Sequence, residues 1–133
     1  MKFQQVEDMR LWHSAKKLWR LVHEVLDRPG FSRNRELRDQ LRDASDSIVA
    51  NIEEGFQQQT DRMFARYLYT SKGSTAEVRG RLERAAEQEL ITNEELRVRD
   101  ELGKEVARMT VGLIKYLARS NRKNRGLGKA EDT

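Results

Sequence analysis

A single proline, Pro29, interrupts a 133-residue chain whose apolar residues recur every three or four positions through most of its length. Proline breaks a helix interior by removing a backbone donor, so its near-absence combined with that period points to long amphipathic helices. Apolar residues make up 37% and charged residues 36%, the balance of helices with one wet face. The chain has no cysteine, which excludes a disulfide scaffold, a thiolate metal site and a cysteine nucleophile.

Four helices are expected in one domain, over residues 8–28, 34–58, 60–88 and 92–120. In the first, Trp12, Ala15, Trp19, Val22 and Leu26 form one seam, with Leu11, Leu18, Leu21 and Val25 as a second stripe beside it. Pro29-Gly30 ends it. The second starts at the N-cap residue Asn34 and carries Leu37, Leu41, Ala44, Ile48 and Ile52, extended by Phe56. Its charges suggest i,i+4 pairs, Arg35–Asp39 and Arg42–Asp46. The third follows a cap at Thr60 and buries Phe64, Leu68, Ser71, Thr75, Val78, Leu82 and Ala85, with Gly73 and Gly80 opposite, near Ala65, Tyr69 and Ala76. The fourth opens on a capping box, Thr92-Asn93-Glu94-Glu95, and runs through Leu102, Val106, Met109, Leu113 and Leu117, with Gly103, Ala107 and Ile114 as a second strip. Short connections between helices this long imply an antiparallel up-down-up-down four-helix bundle. The wide apolar face of the first helix and the small-residue strips on the third and fourth point to self-association.

Polar residues inside the second helix set a further condition. Ser47, Asn51 and Glu54 flank its apolar stripe, and a buried polar group without a partner costs about 1–3 kcal/mol. The expected solution is a structural hydrogen-bonded network with Ser74 and Glu77 of the third helix. The rival reading makes Glu54 and Glu77 an acid pair or a divalent-ion site. Equipment for catalysis is sparse. His13 and His23 lie ten residues apart and project about 80° from stacking, and no H-E-x-x-H, E-x-x-H or phosphate-binding glycine loop is present. No enzymatic activity, metal or other cofactor is expected. Trp12 and Trp19 are expected as packing residues.

The run Ser47-Ile48-Val49-Ala50-Asn51-Ile52-Glu53-Glu54-Gly55 resembles the S-I-x-x-N-I-x-E-G signature of the four-helix bundle family encoded in intervening sequences of some bacterial 23S ribosomal RNA genes. Phe64-Ala65-Arg66-Tyr67-Leu68 and Gly73-Ser74-Thr75-Ala76-Glu77 look like that family's third helix, and Leu11-Trp12-His13-Ser14-Ala15 like its first. The resemblance covers roughly residues 3–118. It implies a bundle that assembles into a ring, commonly a pentamer, with no established catalytic residue. A related branch comprises the accessory variability proteins of diversity-generating retroelements, pentameric barrels that bind nucleic acid and a reverse transcriptase. The stretch Leu117-Ala118-Arg119-Ser120-Asn121-Arg122-Lys123 is similar to that branch's basic ends, whereas the S-I-x-x-N-I-x-E-G motif points to the ribosomal one.

Charge is unevenly placed. Arg119, Arg122, Lys123, Arg125 and Lys129 stand against Glu131 and Asp132 within residues 119–133, which is five minus two, or +3 of the net +4. Residues 121–133 lack periodicity and are expected to form a flexible basic tail. The expected function is a non-enzymatic, ring-forming scaffold or accessory factor that binds RNA or DNA through those five residues, as a partner of a larger machine such as a reverse transcriptase. The alternative is an oligomeric protein–protein interaction module whose tail only aids solubility. The N-terminus lacks the apolar run of a signal peptide and no stretch approaches a membrane span, so a cytoplasmic location without a membrane partner is expected.

Overall fold

The computed structural model describes the backbone of residues 3–127 and the side chains of residues 3–120. A single 3-10 turn, Val6–Asp8, leads into α1 (Arg10–Leu26). A one-turn helix α2 (Pro29–Ser32) follows, then the long helices α3 (Arg35–Phe56), α4 (Asp61–Glu87) and α5 (Asn93–Leu127). α1 packs on α3 and α5, and α4 also packs on α3 and α5, so α1–α4 and α3–α5 are the diagonals of a four-helix bundle. Each adjacent pair is antiparallel. Trp12 meets Glu53, Ser47 meets Ser74, Arg79 meets Asp100, and Arg28 meets Glu95.

Local chemistry sets the helix ends. Pro29 occupies the first turn of α2, where its missing N–H is no loss. Thr60 Oγ1 accepts from Met63 N at 3.1 Å to begin α4. Thr92 and Glu95 close the capping box, with Thr92 N donating to Glu95 Oε1 at 2.9 Å and Glu95 N to Thr92 Oγ1 at 3.0 Å. Asn34 departs from its expected capping role: its amide reaches back to Gly30 O at 3.0 Å and caps no α3 donor. Just past the end of α4, Glu89 has a left-handed φ of 60°, and Leu90 N returns to Ala85 O at 2.9 Å. That is a Schellman closure made without the usual glycine.

The core holds Leu18, Val22 and Val25 of α1, Leu41 and Ile52 of α3, Leu68, Val78 and Leu82 of α4, and Val106 of α5, all fully buried. On α4 the buried set is Phe64, Leu68, Ser71, Thr75, Val78, Leu82 and Ala85, in agreement with the sequence pattern. On α1 the seam is rotated from the expected one. Leu11, Ala15, Leu18, Val22, Val25 and Leu26 are buried, while Trp12 and Trp19 flank the core with half-buried rings. An indole carries a donor that needs a partner, so tryptophan favours such margins. Most of the wide apolar face of α1 is therefore covered within the chain itself.

α5 is rotated too. Its inward positions are Arg99, Gly103, Val106, Thr110, Ile114 and Leu117, whereas Leu102, Met109 and Leu113 are only half-buried. Gly103 faces α4 because a Cβ there would lie 2.9 Å from Arg79 Cγ. Gly103 and Ile114 of the expected second strip are thus part of the core face, while Ala107 is only half-buried. Helix geometry continues through Leu127, seven residues past the expected end at Ser120. At 1.5 Å per residue the 35 residues of α5 span about 52 Å, against about 25 Å for the 17 of α1. Since Asp100 pairs with Arg79, the start of α4 at Asp61 falls level with residues near 118, and the backbone beyond extends past the bundle.

Candidate functional site

The α3–α4 seam gathers three of the five residues expected to form a polar network. Ser47 Oγ and Ser74 Oγ lie 2.7 Å apart across the helices. Asn51 Nδ2 donates to Ser47 O at 2.8 Å and to Ser47 Oγ at 3.0 Å. Ser71, fully buried, donates to Ile48 O at 3.0 Å and so adds an interhelical bond to its expected core position. Small side chains let the helices approach, and a Cβ at Gly55 would sit 2.8 Å from Tyr67 Cβ. Glu54 and Glu77 stand outside this network. The Glu54 side chain is exposed, with no hydrogen bond to its carboxylate among the described residues, and Glu77 lies 4.0 Å from Arg81 one turn along α4. Hydroxyls and one amide satisfy the seam without a charge, so neither carboxylate has cause to turn inward.

Beside this seam opens a recess of about 330 Å3 lined by Asn51, Met63, Arg66, Tyr67 and Thr70. Two of the four stretches quoted for the family resemblance contribute to it, Asn51 from α3 and Arg66-Tyr67 from α4.

The α1–α3 seam carries a second cluster. Trp12 Nε1 donates to Glu53 Oε2 at 2.9 Å, and Trp19 Nε1 to Asp46 Oδ1 at 2.6 Å. His23 Nε2 contacts the same Asp46 oxygen at 3.0 Å, with its ring 4.2 Å from that of Trp19. Lys16 Nζ sits 4.7 Å from the Trp19 ring centroid and 5.8 Å from that of Trp12, within cation–π range. The steps of four, three and four from residue 12 to residue 23 were the available signal. Asp46 is consequently not the partner of Arg42, which pairs with Asp39 at 3.0 Å. His13 Nε2 lies 2.8 Å from Glu7 O, so each histidine has a hydrogen-bond partner, His13 locally and His23 across to α3. Among the described residues, no three His, Asp or Glu side chains converge as a metal site.

Many body arginines are engaged. Arg28 binds Glu95 through both terminal nitrogens, one of them at 2.9 Å from Oε1. That guanidinium, with the Thr92 backbone N–H second, holds the Glu95 carboxyl down at about 2. Arg99 is buried against α1, donating to Leu21 O at 3.0 Å and to Glu95 O at 3.1 Å. Arg79 pairs with Asp100 at 2.9 Å. Arg38 lies 3.4 Å from Asp39, whereas Arg35 and Arg66 are exposed and form no ion pair among the described residues. Arg119 is exposed on the last described turns of α5. Arg122, Lys123 and Arg125 belong to the helical backbone, their side chains lying outside the described residues, as does the whole of Lys129.

Among the described residues, no helix is long and apolar enough to cross a membrane. A protein of unknown function from the S23 ribosomal protein family of Bacteroides thetaiotaomicron shares the fold, with a TM-score of 0.69 at 21% identity over 79% of this chain and 98% of that one. No curated protein matches the sequence. Residues 7–112 match the family described as 23S rRNA-intervening sequence proteins, and the match spans α1 to α4 and most of α5. With its four-helix architecture and the S-I-x-x-N-I-x-E-G run in α3, the chain belongs to the 23S rRNA-intervening sequence protein family.

Proposed function

We propose that this chain is a non-enzymatic, oligomeric helical scaffold that binds RNA or DNA through the basic end of α5. The observation that carries this reading is the overhang of that helix. α5 outruns the bundle, and its residues 119–127 contain Arg119, Arg122, Lys123 and Arg125 with no acidic residue. A helix end rich in cations suits the phosphate backbone, where affinity comes from counterion release. Elsewhere on the bundle, Arg28, Arg79, Arg97 and Arg99 are already engaged with carboxylates or carbonyls.

Assembly has support of its own. On α4, Tyr69 is 59% exposed, and Gly73 and Gly80 have nothing within 4 Å of where a Cβ would stand. Interior glycines on a free helix face cost about 1 kcal/mol each relative to alanine, a cost that a closely packed second copy would offset. Five copies, as the family resemblance implies, would repeat the basic ends and raise their effective concentration on one nucleic acid. A reverse transcriptase is the protein partner that the resemblance to the retroelement branch implies.

The test titrates fluorescent RNA and DNA at 50 and 200 mM salt against the full chain and a truncation after Ser120. Five phosphate contacts give a log–log salt slope of about −4 to −5 on duplex DNA. The truncated chain should keep its mass in light scattering and lose most of the affinity. Absence of binding by the full chain at low salt favours the alternative, an oligomeric protein–protein interaction module, to which the exposed strip of α4 already lends support.

A further inference from the structure

We infer that the recess between α3 and α4 holds a single unpaired nucleotide, its phosphate against Arg66 and an N–H edge of its base against Asn51. The inference rests on the nucleic-acid reading above and gives it a second site, distinct from the α5 end. Asn51 carries the argument. Its amide nitrogen donates to Ser47 twice, at 2.8 Å to the carbonyl and 3.0 Å to the hydroxyl. The orientation of the amide is fixed by those bonds, which leaves Oδ1 as the group Asn51 offers to the recess. Oδ1 accepts no hydrogen bond among the described residues, and no side-chain nitrogen or oxygen there is both buried and unpartnered, so this acceptor is not sealed from solvent.

The same recess is lined by a cation, Arg66. Arg66 is exposed and forms no ion pair among the described residues, unlike Arg79, Arg81 and Arg97. Tyr67 and Thr70 also line it, the Thr70 hydroxyl donating to Arg66 O at 3.5 Å, and Met63, 44% exposed, adds an apolar rim. The fitting ligand therefore carries a hydrogen-bond donor and negative charge together, as a nucleotide does, with Tyr67 as an aromatic wall for its base. The volume of about 330 Å3 lies at the small end of ligand sites, enough for one base and its phosphate. Unpaired bases are read in this manner in RNA, against aromatic rings and guanidinium planes with hydrogen bonds to their edges. Duplex nucleic acid hides those edges in pairs. The recess therefore prefers loops, bulges and ends, whereas the α5 end meets phosphates of any strand.

Methionine methyl resonances give a direct readout. The chain has four methionines, of which Met63 borders the recess and Met9 is buried in the core. Adenosine 5′-monophosphate should move the Met63 methyl signal and leave that of Met9 in place, in the full chain and in the truncation after Ser120 alike. Arg66→Gln should weaken that response by at least about tenfold, as expected for loss of a charge-assisted contact. A single-stranded RNA should bind the full chain more tightly than an abasic strand of the same length, and Arg66→Gln should narrow that difference. The recess is refuted if inorganic phosphate produces the same Met63 shift, since the base is then not read. It is equally refuted if RNA binds while Met63 stays silent, an outcome that leaves the α5 reading standing. Failure of the full chain to bind RNA and mononucleotide alike at low salt overturns both.

Discussion

Replacing Glu95 by glutamine tests how α1 is tied to α5. The wild-type carboxylate receives Arg28 through two nitrogens and Thr92 N at 2.9 Å, so it closes the N-terminus of α5 and clamps the α1–α2 connection at once. A carboxyl held at about 2 against an ordinary 4.5 sets a ceiling of ~3.4 kcal/mol on its charge-dependent contribution. The real figure is lower. Arg28 is 41% exposed and Glu95 24%, so water screens the pair, and glutamine still serves a capping box. Glu95→Gln should therefore cost roughly 1–2 kcal/mol at pH 7, a drop of about 4–8 °C in Tm. The sign with pH follows from the depressed folded value. The stabilisation is fully present above 4.5 and is lost as the pH falls toward 2, with about two fifths remaining at pH 3. Urea unfolding of both proteins at pH 7 and pH 3, at one protein concentration, measures the gap directly. Other carboxylates titrate in both proteins and cancel in the difference. A gap of equal size at the two pH values would refute the assignment to the ionised carboxylate, and no gap at pH 7 would show that solvent screens the clamp entirely.

Three further outcomes are expected. Asn51→Leu should lower stability by about 1 kcal/mol in thermal melts, near the low end for a broken buried bond because Ser47 Oγ keeps Ser74, and a raised Tm would deny the α3–α4 seam a stabilising role. Glu89→Gly should stabilise by about 0.5–1 kcal/mol, since a left-handed φ of 60° strains any side chain, and an unchanged denaturation midpoint would count against that strain. The double change Gly73→Ala, Gly80→Ala should lower the assembled mass in light scattering if a second copy packs on α4. A melting temperature that rises by several degrees with no change in mass would mark that face as free.

What could be read from the residues alone depended on whether polar groups sat at core positions. α4 was legible throughout because Ser71 and Thr75 are small enough to be counted with their apolar neighbours, and both bond to backbone carbonyls. α5 was misread by part of a turn because its inward face includes Arg99, which hides its charge against the carbonyls of Leu21 and Glu95, and Thr110, which bonds to Val106 O. No periodicity argument assigns an arginine to a core. α1 slipped for the opposite reason. Its tryptophans look like the strongest core residues, yet Glu53 and Asp46 on α3 hold their N–H groups at the margin. In the polar seam, Ser47, Asn51 and Ser74 were identifiable from spacing, whereas Glu54 and Glu77 required the rotation of each helix, which one or two residues of phase decide. The recess needed both helices in place before Asn51 and Arg66 could be seen to share it.

Both tryptophans of the chain lie on α1, and each indole is fastened to a carboxylate of α3. Intrinsic fluorescence is therefore a local spectroscopic reporter of the α1–α3 contact, with a neighbouring imidazole and ammonium group close enough to modulate emission. Circular dichroism, by contrast, is dominated by α3, α4 and α5, which together outweigh the 17 residues of α1 several-fold. The two signals thus divide the molecule between them. Their superposition during unfolding reports whether the first helix departs with the other three or ahead of them, so the placement of two side chains makes the cooperativity of the whole bundle observable without a label.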